Sequence, residues 1–214
     1  MHLALAASAI AAFWVTAGAA KGGPTHRRTG RWFAQLIYGA AATGAPLAVF
    51  GPLSAATPHL MWLVLYLMVV IVTPVQHGLA AVTAAGAPTR VRSPLHLTLN
   101  LGALIGSLLL FPAAIVWQTL WFLIAVPAGF TIALRNMRYA SRTAASPSEW
   151  QREHLTSMLT AGIAMHTAFF VLSAMRWPAV AGHGMWAAWL LPVAVGLPAI
   201  AIARRQWGNG AMGQ

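Results

Sequence analysis

Residues 95–116, "LHLTLNLGALIGSLLLFPAAIV", contain no Asp, Glu, Lys or Arg. A helix rises about 1.5 Å per residue, so a run of this length crosses about 30 Å of hydrocarbon. The sequence holds seven apolar runs of about this length, at 2–20, 32–53, 59–84, 95–116, 118–136, 155–175 and 185–203, with Arg135 at the end of the fifth. Only 7% of residues are charged and 59% are hydrophobic, whereas a soluble domain carries about 25% charged residues. Too few polar side chains remain to cover a water-facing globule. Inside lipid every backbone N–H and C=O must be satisfied within its own segment, which makes each run a helix. The expected fold is all-α: one transmembrane helical bundle of seven spans over residues 1–214.

The links between runs carry the orientation. Lys21, Arg27, Arg28, Arg31, Arg90, Arg92, Arg135, Arg138, Arg142, Arg152, Arg204 and Arg205 fall in the first, third and fifth links and the tail; the other links hold only Arg176. Short loops rich in Lys and Arg stay on the cytoplasmic side. The N-terminus is therefore expected outside and the C-terminus in the cytoplasm, which an odd number of spans satisfies. "TAGAAK" offers a small-residue cleavage site, but a secretory signal carries its positive charge before the apolar core, and here it follows. The first span is expected to be retained.

The formal charge is +11, from 13 Lys+Arg against two acids, Glu149 and Glu153. The cations come in short clusters between apolar runs, as expected of loops facing anionic lipid headgroups. They form no long basic surface, so nucleic acid is not an expected partner. Cysteine is absent, which excludes disulfides and thiolate-ligated metal or iron–sulfur sites. Lys21 is the single lysine, so the seventh span holds none for a retinal Schiff base. With spans bounded as above, no acid lies within one. That argues against a carboxylate-relay pump or a carboxylate-bound di-iron centre.

Small residues recur in "GAAATGA", "LGALIGS" and "TAGIA", with Gly102 and Gly106 forming a G-x-x-x-G. Close helix packing is the first expectation; a dimer seam is the alternative, and the expected partners beyond the lipid bilayer are a second copy in a homo-oligomer or a larger membrane complex. Spans two to seven read as three helical hairpins, a pattern that alternating topology alone also produces.

Histidine is the remaining source of chemistry. "REHLTSMLTAGIAMHTAF", residues 152–169, sets His154, Met158 and Met165 on one helical stripe, with His166 off it. His26 precedes the second span, His77 lies late in the third, His96 opens the fourth and His154 opens the sixth. All four fall near the cytoplasmic face. His59 and His183, with His2, lie near the outer face. Imidazole ligates haem iron, copper and zinc, and thioether joins it on haem iron or copper. The candidate haem b ligands are therefore His77, His96 and His154, with Met158 one turn deeper. The candidate metal ligands, for copper or zinc, are His26, His77, His96 and His154. The bland reading is that these histidines bond backbone, water and headgroups, with no cofactor, and that the methionines fill gaps.

"KGGPTHRRTGRWF" is the second dense motif. Gly22, Gly23 and Pro24 break the first helix, and His26, Arg27, Arg28 and Arg31 crowd the entry to the second. Arginine forks pair with planar oxyanions, which makes Arg27, Arg28 and Arg31 candidates for an anion or a lipid headgroup.

These two motifs, with "WLLPVAVGLPAI", resemble a family of uncharacterised bacterial inner-membrane proteins of about seven helices. That family carries Lys-Gly…His-Arg-x-x-Gly before its second helix and His-x-x-x-Met…Thr-Ala-Phe in a later one. The resemblance marks His26, Arg27, Gly30, His154, Met158, Thr167 and Phe169; "TPVQHG" around His77 matches a subgroup. It implies a multi-pass protein of the bacterial inner (plasma) membrane and carries no activity across.

Three functions are compatible with these residues. One is a haem b- or metal-binding redox or ligand-binding protein with its histidine site near the cytoplasmic face. Another is a transporter or channel for a small uncharged or anionic molecule, with Pro46, Pro74, Pro112, Pro127, Pro192 and Pro198 loosening helices around it. The third is an accessory or assembly subunit of a membrane complex.

Overall fold

The computed structural model describes residues 1–51, 58–176 and 183–208. Among them it is all-helical, with seven α-helices: α1 (His2–Gly18), α2 (Pro24–Phe50), α3 (Pro58–Ala84), α4 (Pro94–Val116), α5 (Val126–Ala140), α6 (Pro147–Ala174) and α7 (His183–Gly208). Two short 3-10 turns, Pro88–Val91 and Leu120–Ile124, precede α4 and α5. Six segments are long and apolar enough to cross a membrane, and α1 is a shorter apolar helix. These helices make the chain a multi-pass integral membrane protein. The second and sixth expected links fall largely outside the described residues.

Three boundaries differ from the hydropathy reading, each through capping chemistry. Helix α2 begins at Pro24, so His26, Arg27, Arg28 and Arg31 are helical; Pro24 follows the Gly23 cap, where a missing N–H costs nothing. Helix α6 begins at Pro147. Ser146 Oγ accepts from the Glu149 backbone N–H, and the Glu149 carboxylate accepts from the Ser146 N–H at 2.7 Å. This reciprocal box satisfies two donors that a helix start otherwise leaves orphaned. It brings Glu149 and Glu153 into a span expected to hold no acid. The fifth span is split: Pro127 stands at the start of α5 rather than inside a helix, and the chain before it makes a 3-10 turn.

The chain forms two compact units, Met1–Met68 and Val69–Gln214. In the first, α1 packs along α2. Ala9 is fully buried, Leu5 lies over Gly39, and the Phe13 and Phe33 rings meet at 5.7 Å. In the second, α5 packs on α4, and α6 on α7, where the Ile163 side chain lies directly on Gly196. Trp189 is buried beside Trp121.

The second unit buries a polar cluster within its apolar core and leaves large apolar side chains exposed. Val116 and Leu109 are 77% and 62% exposed, whereas Asn100, Asn136, Ser107, His77 and His96 are buried. Water would reverse this distribution; lipid tolerates the exposed leucines and forces polar groups to find partners within the bundle.

Candidate functional site

The polar interior gathers at one end of the second unit's helices. His77 lies two turns before the end of α3, His96 in the first turn of α4, Arg135 in the last turns of α5 and Glu153 in the second turn of α6. Gly78 allows α3 and α6 to come this close. A Cβ there would sit 3.0 Å from the Ser157 Cβ and 2.8 Å from the Met158 methyl. The close approach sets His77 against Glu153, one residue from Gly78 on α3 and four from Ser157 on α6.

His77 is fully buried and both its nitrogens are engaged. Nδ1 lies 3.1 Å from His96 Nε2, and Nε2 lies 3.0 Å from Glu153 Oε1. The Tyr139 ring meets the imidazole edge-on at 5.5 Å. Arg135 Nε stands 3.2 Å from the same Glu153 oxygen, an ion pair whose N–H is not aligned on it. The guanidinium donates instead to Ser157 Oγ at 2.9 Å, Asn136 Oδ1 at 3.2 Å and Thr160 Oγ1 at 3.3 Å.

The contacts close on themselves. Asn136 Nδ2 donates to Asn100 Oδ1 at 3.0 Å, and Asn100 Nδ2 donates to the His96 carbonyl at 2.7 Å. His77, His96, Asn100, Asn136, Arg135 and Glu153 therefore form one polar ring through four helices. Partners for nearly every group make such a ring tolerable in a low-dielectric interior. The exceptions are His96 Nδ1 and Arg135 Nε, and beside the ring the Tyr139 hydroxyl, all buried with no hydrogen-bond partner among the described residues.

The donor and acceptor roles follow from Glu153. An ionised carboxylate only accepts, so His77 carries its proton on Nε2 and leaves Nδ1 bare. His96 Nε2–H then donates to His77 Nδ1, which leaves the unpartnered His96 Nδ1 as a lone pair. With neutral rings this assignment is the one that satisfies both hydrogen bonds of His77.

The structure brings together two of the sequence's candidates, His77 and His96. His154 lies beside them on α6 but donates from Nδ1 to the Gly78 carbonyl at 3.0 Å, and Met158 packs on the same glycine. Both hold α3 against α6. His26 belongs to the first unit, where its Nδ1 lies 3.1 Å from the Thr16 carbonyl. Among the described residues no three of His, Cys, Asp and Glu converge as a metal site requires. Arg27, Arg28 and Arg31 are exposed on α2, with the Arg28 guanidinium 4.9 Å over the Trp32 ring. His166 bonds to the Gly162 carbonyl of its own helix, and His2 to the Ala40 carbonyl of α2.

Sequence reasoning missed Glu153, Arg135, Asn100 and Asn136. The "SPSE" capping box, with proline in the first turn, was the signal that could have placed Glu153 inside a span. Comparisons with protein-family models, with curated proteins and with solved structures find no match for this chain.

Proposed function

We propose that the chain is a proton-linked membrane carrier, with His96, His77 and Glu153 as an ordered proton relay and Arg135 as its counter-ion. The observation that carries this reading is the unbroken contact from a bare buried nitrogen to a carboxylate: His96 to His77 at 3.1 Å and His77 to Glu153 at 3.0 Å.

The step balances. A proton arriving on His96 Nδ1 lets the Nε2 proton pass to His77 Nδ1, and the His77 Nε2 proton passes to Glu153. One proton enters, every hydrogen bond in the chain reverses, both rings end neutral and Glu153 becomes a carboxylic acid. Imidazole suits this work because either nitrogen can donate or accept near neutral pH. The basic links support a cytoplasmic setting for this end of the helices, and the family resemblance supports the bacterial inner membrane.

Infrared difference spectra of the purified protein across a pH step test the relay. A carboxylic C=O band should appear on acidification and vanish in Glu153→Gln. Proteoliposomes loaded with a pH-sensitive dye should show protein-dependent proton movement that falls at least about tenfold in His77→Asn. An unchanged spectrum, a Soret band, or stoichiometric copper or zinc in the purified protein would replace the relay with another reading.

A further inference from the structure

Charge balance in the same site points to a second ligand, and this inference rests on the relay above. We propose that protonation of Glu153 is matched by binding of a small monocarboxylate anion at Arg135, so that proton and anion load together. Glu153 and Arg135 neutralise each other at 3.2 Å. When Glu153 takes up a proton its negative charge is gone, but the guanidinium stays charged. The charges around it do not repair the imbalance. His77 of α3 and His96 of α4 remain neutral through the relay, and Tyr139 of α5 is a phenol. His154 of α6 contributes no negative charge, and Arg92 and Arg204 add positive charge. An uncompensated cation in a membrane interior is costly, and an incoming anion removes it.

Geometry favours a planar carboxylate for that anion. The partner whose charge is lost is itself a carboxylate, and a guanidinium fork matches planar oxyanions. Ser157 Oγ accepts from Arg135 and keeps its own proton to donate. The Arg135 side chain is 28% exposed and Glu153 15%, whereas His77 is sealed. An anion can therefore reach the arginine without opening the imidazole pair. The ring of contacts also gives the anion a route to the relay: whatever holds Arg135 away from Glu153 leaves that carboxyl free to keep its proton.

Formate is the probe, titrated calorimetrically into the full-length protein in detergent, in two buffers of different ionisation enthalpy. About one proton should be taken up per formate bound, and affinity should rise about tenfold for each pH unit lowered, as linkage of one proton to one anion requires. Glu153→Gln, neutral at every pH, should bind formate with no proton uptake and no pH dependence. Arg135→Lys keeps the charge but loses the fork and should bind at least tenfold more weakly while eluting as a folded monodisperse species. If acidification protonates the carboxyl in the infrared spectrum but formate does not bind, or binds without proton uptake, the anion is wrong and the relay stands. If no carboxyl protonates, the relay itself fails.

Discussion

Histidine is used in two ways in this molecule. In the first unit, the end of α1 has carbonyls left over, as every helix C-terminus does. Lys21 Nζ donates to the Ala17 and Thr16 carbonyls, and the His26 ring lies on Thr16 as well. The Thr16 and Thr29 hydroxyls then tie α1 to α2 at 2.8 Å. In the second unit, both His77 nitrogens meet groups that can themselves change charge or tautomer, His96 and Glu153. A histidine nitrogen bonded to a carbonyl is held as a donor, and the carbonyl cannot take its proton in exchange. A histidine between an imidazole and a carboxylate has an exchangeable partner on each side. The difference lies in the partners and not in the residue.

The sharpest way to break the comparison is to remove the charge at the centre of the proposed relay. Glu153→Ala leaves Arg135 without a counter-ion and His77 Nε2 without an acceptor. Losing one partner of a fully buried pair costs about 3–5 kcal/mol. Arg135 keeps partial exposure, so about 2–3 kcal/mol is expected here, read as a lower unfolding midpoint in detergent. Glu153→Gln keeps an acceptor for His77 and should lose about half as much stability, although it stops the relay. Equal losses in the two variants would mean that shape, not charge, holds the site.

Next in size is the glycine that lets the helices meet. Gly78→Ala puts a methyl 3.0 Å from the Ser157 Cβ, which cannot rotate away. Overpacking of this kind costs about 1–3 kcal/mol. Here it also pushes α3 off α6 and lengthens the His77–Glu153 contact. Proton movement should therefore fall more than stability does. Adding Met158→Ala relieves one of the two contacts and should restore stability only in part, because the Ser157 contact stays. Full recovery in the double variant would show that the backbones are not in close approach.

Much of this scaffold was legible, because hydropathy and the cost of an unbonded backbone in lipid leave few alternatives. Helices α3, α4 and α7 lie close to where apolar runs place them. The site was legible in part. Depth alone put His77 and His96 at the same level, and they meet. Depth also put His154 there, but adjacent positions on a helix point about 100° apart, and Glu153 rather than His154 faces His77. The acid went unread because an apolar average trims a helix at its first charges, whereas "SPSE" starts α6 two turns earlier. The Asn100–Asn136 pair joins residues 36 apart in sequence. Neither asparagine sits in a local pattern that announces the other, so only packing reveals them.

The smallest effect belongs to the first unit and is a pH slope. Burial holds the Lys21 ammonium below the usual lysine range, so the loss of water outweighs its two carbonyl contacts. Between that lowered value and the ordinary one, the unfolded chain binds more protons than the folded chain. Stability must then rise with pH across this alkaline window. Lys21 is only partly buried, so solvent screening keeps the slope shallow. Lys21→Met removes this titrating group and should make the unfolding midpoint rise less with pH over that window than in the parent protein. Proton movement through the second unit should be unchanged, because Lys21 caps backbone and feeds no relay. A Lys21→Met protein that lost proton movement would erase the distinction between a capping cluster and a conducting one.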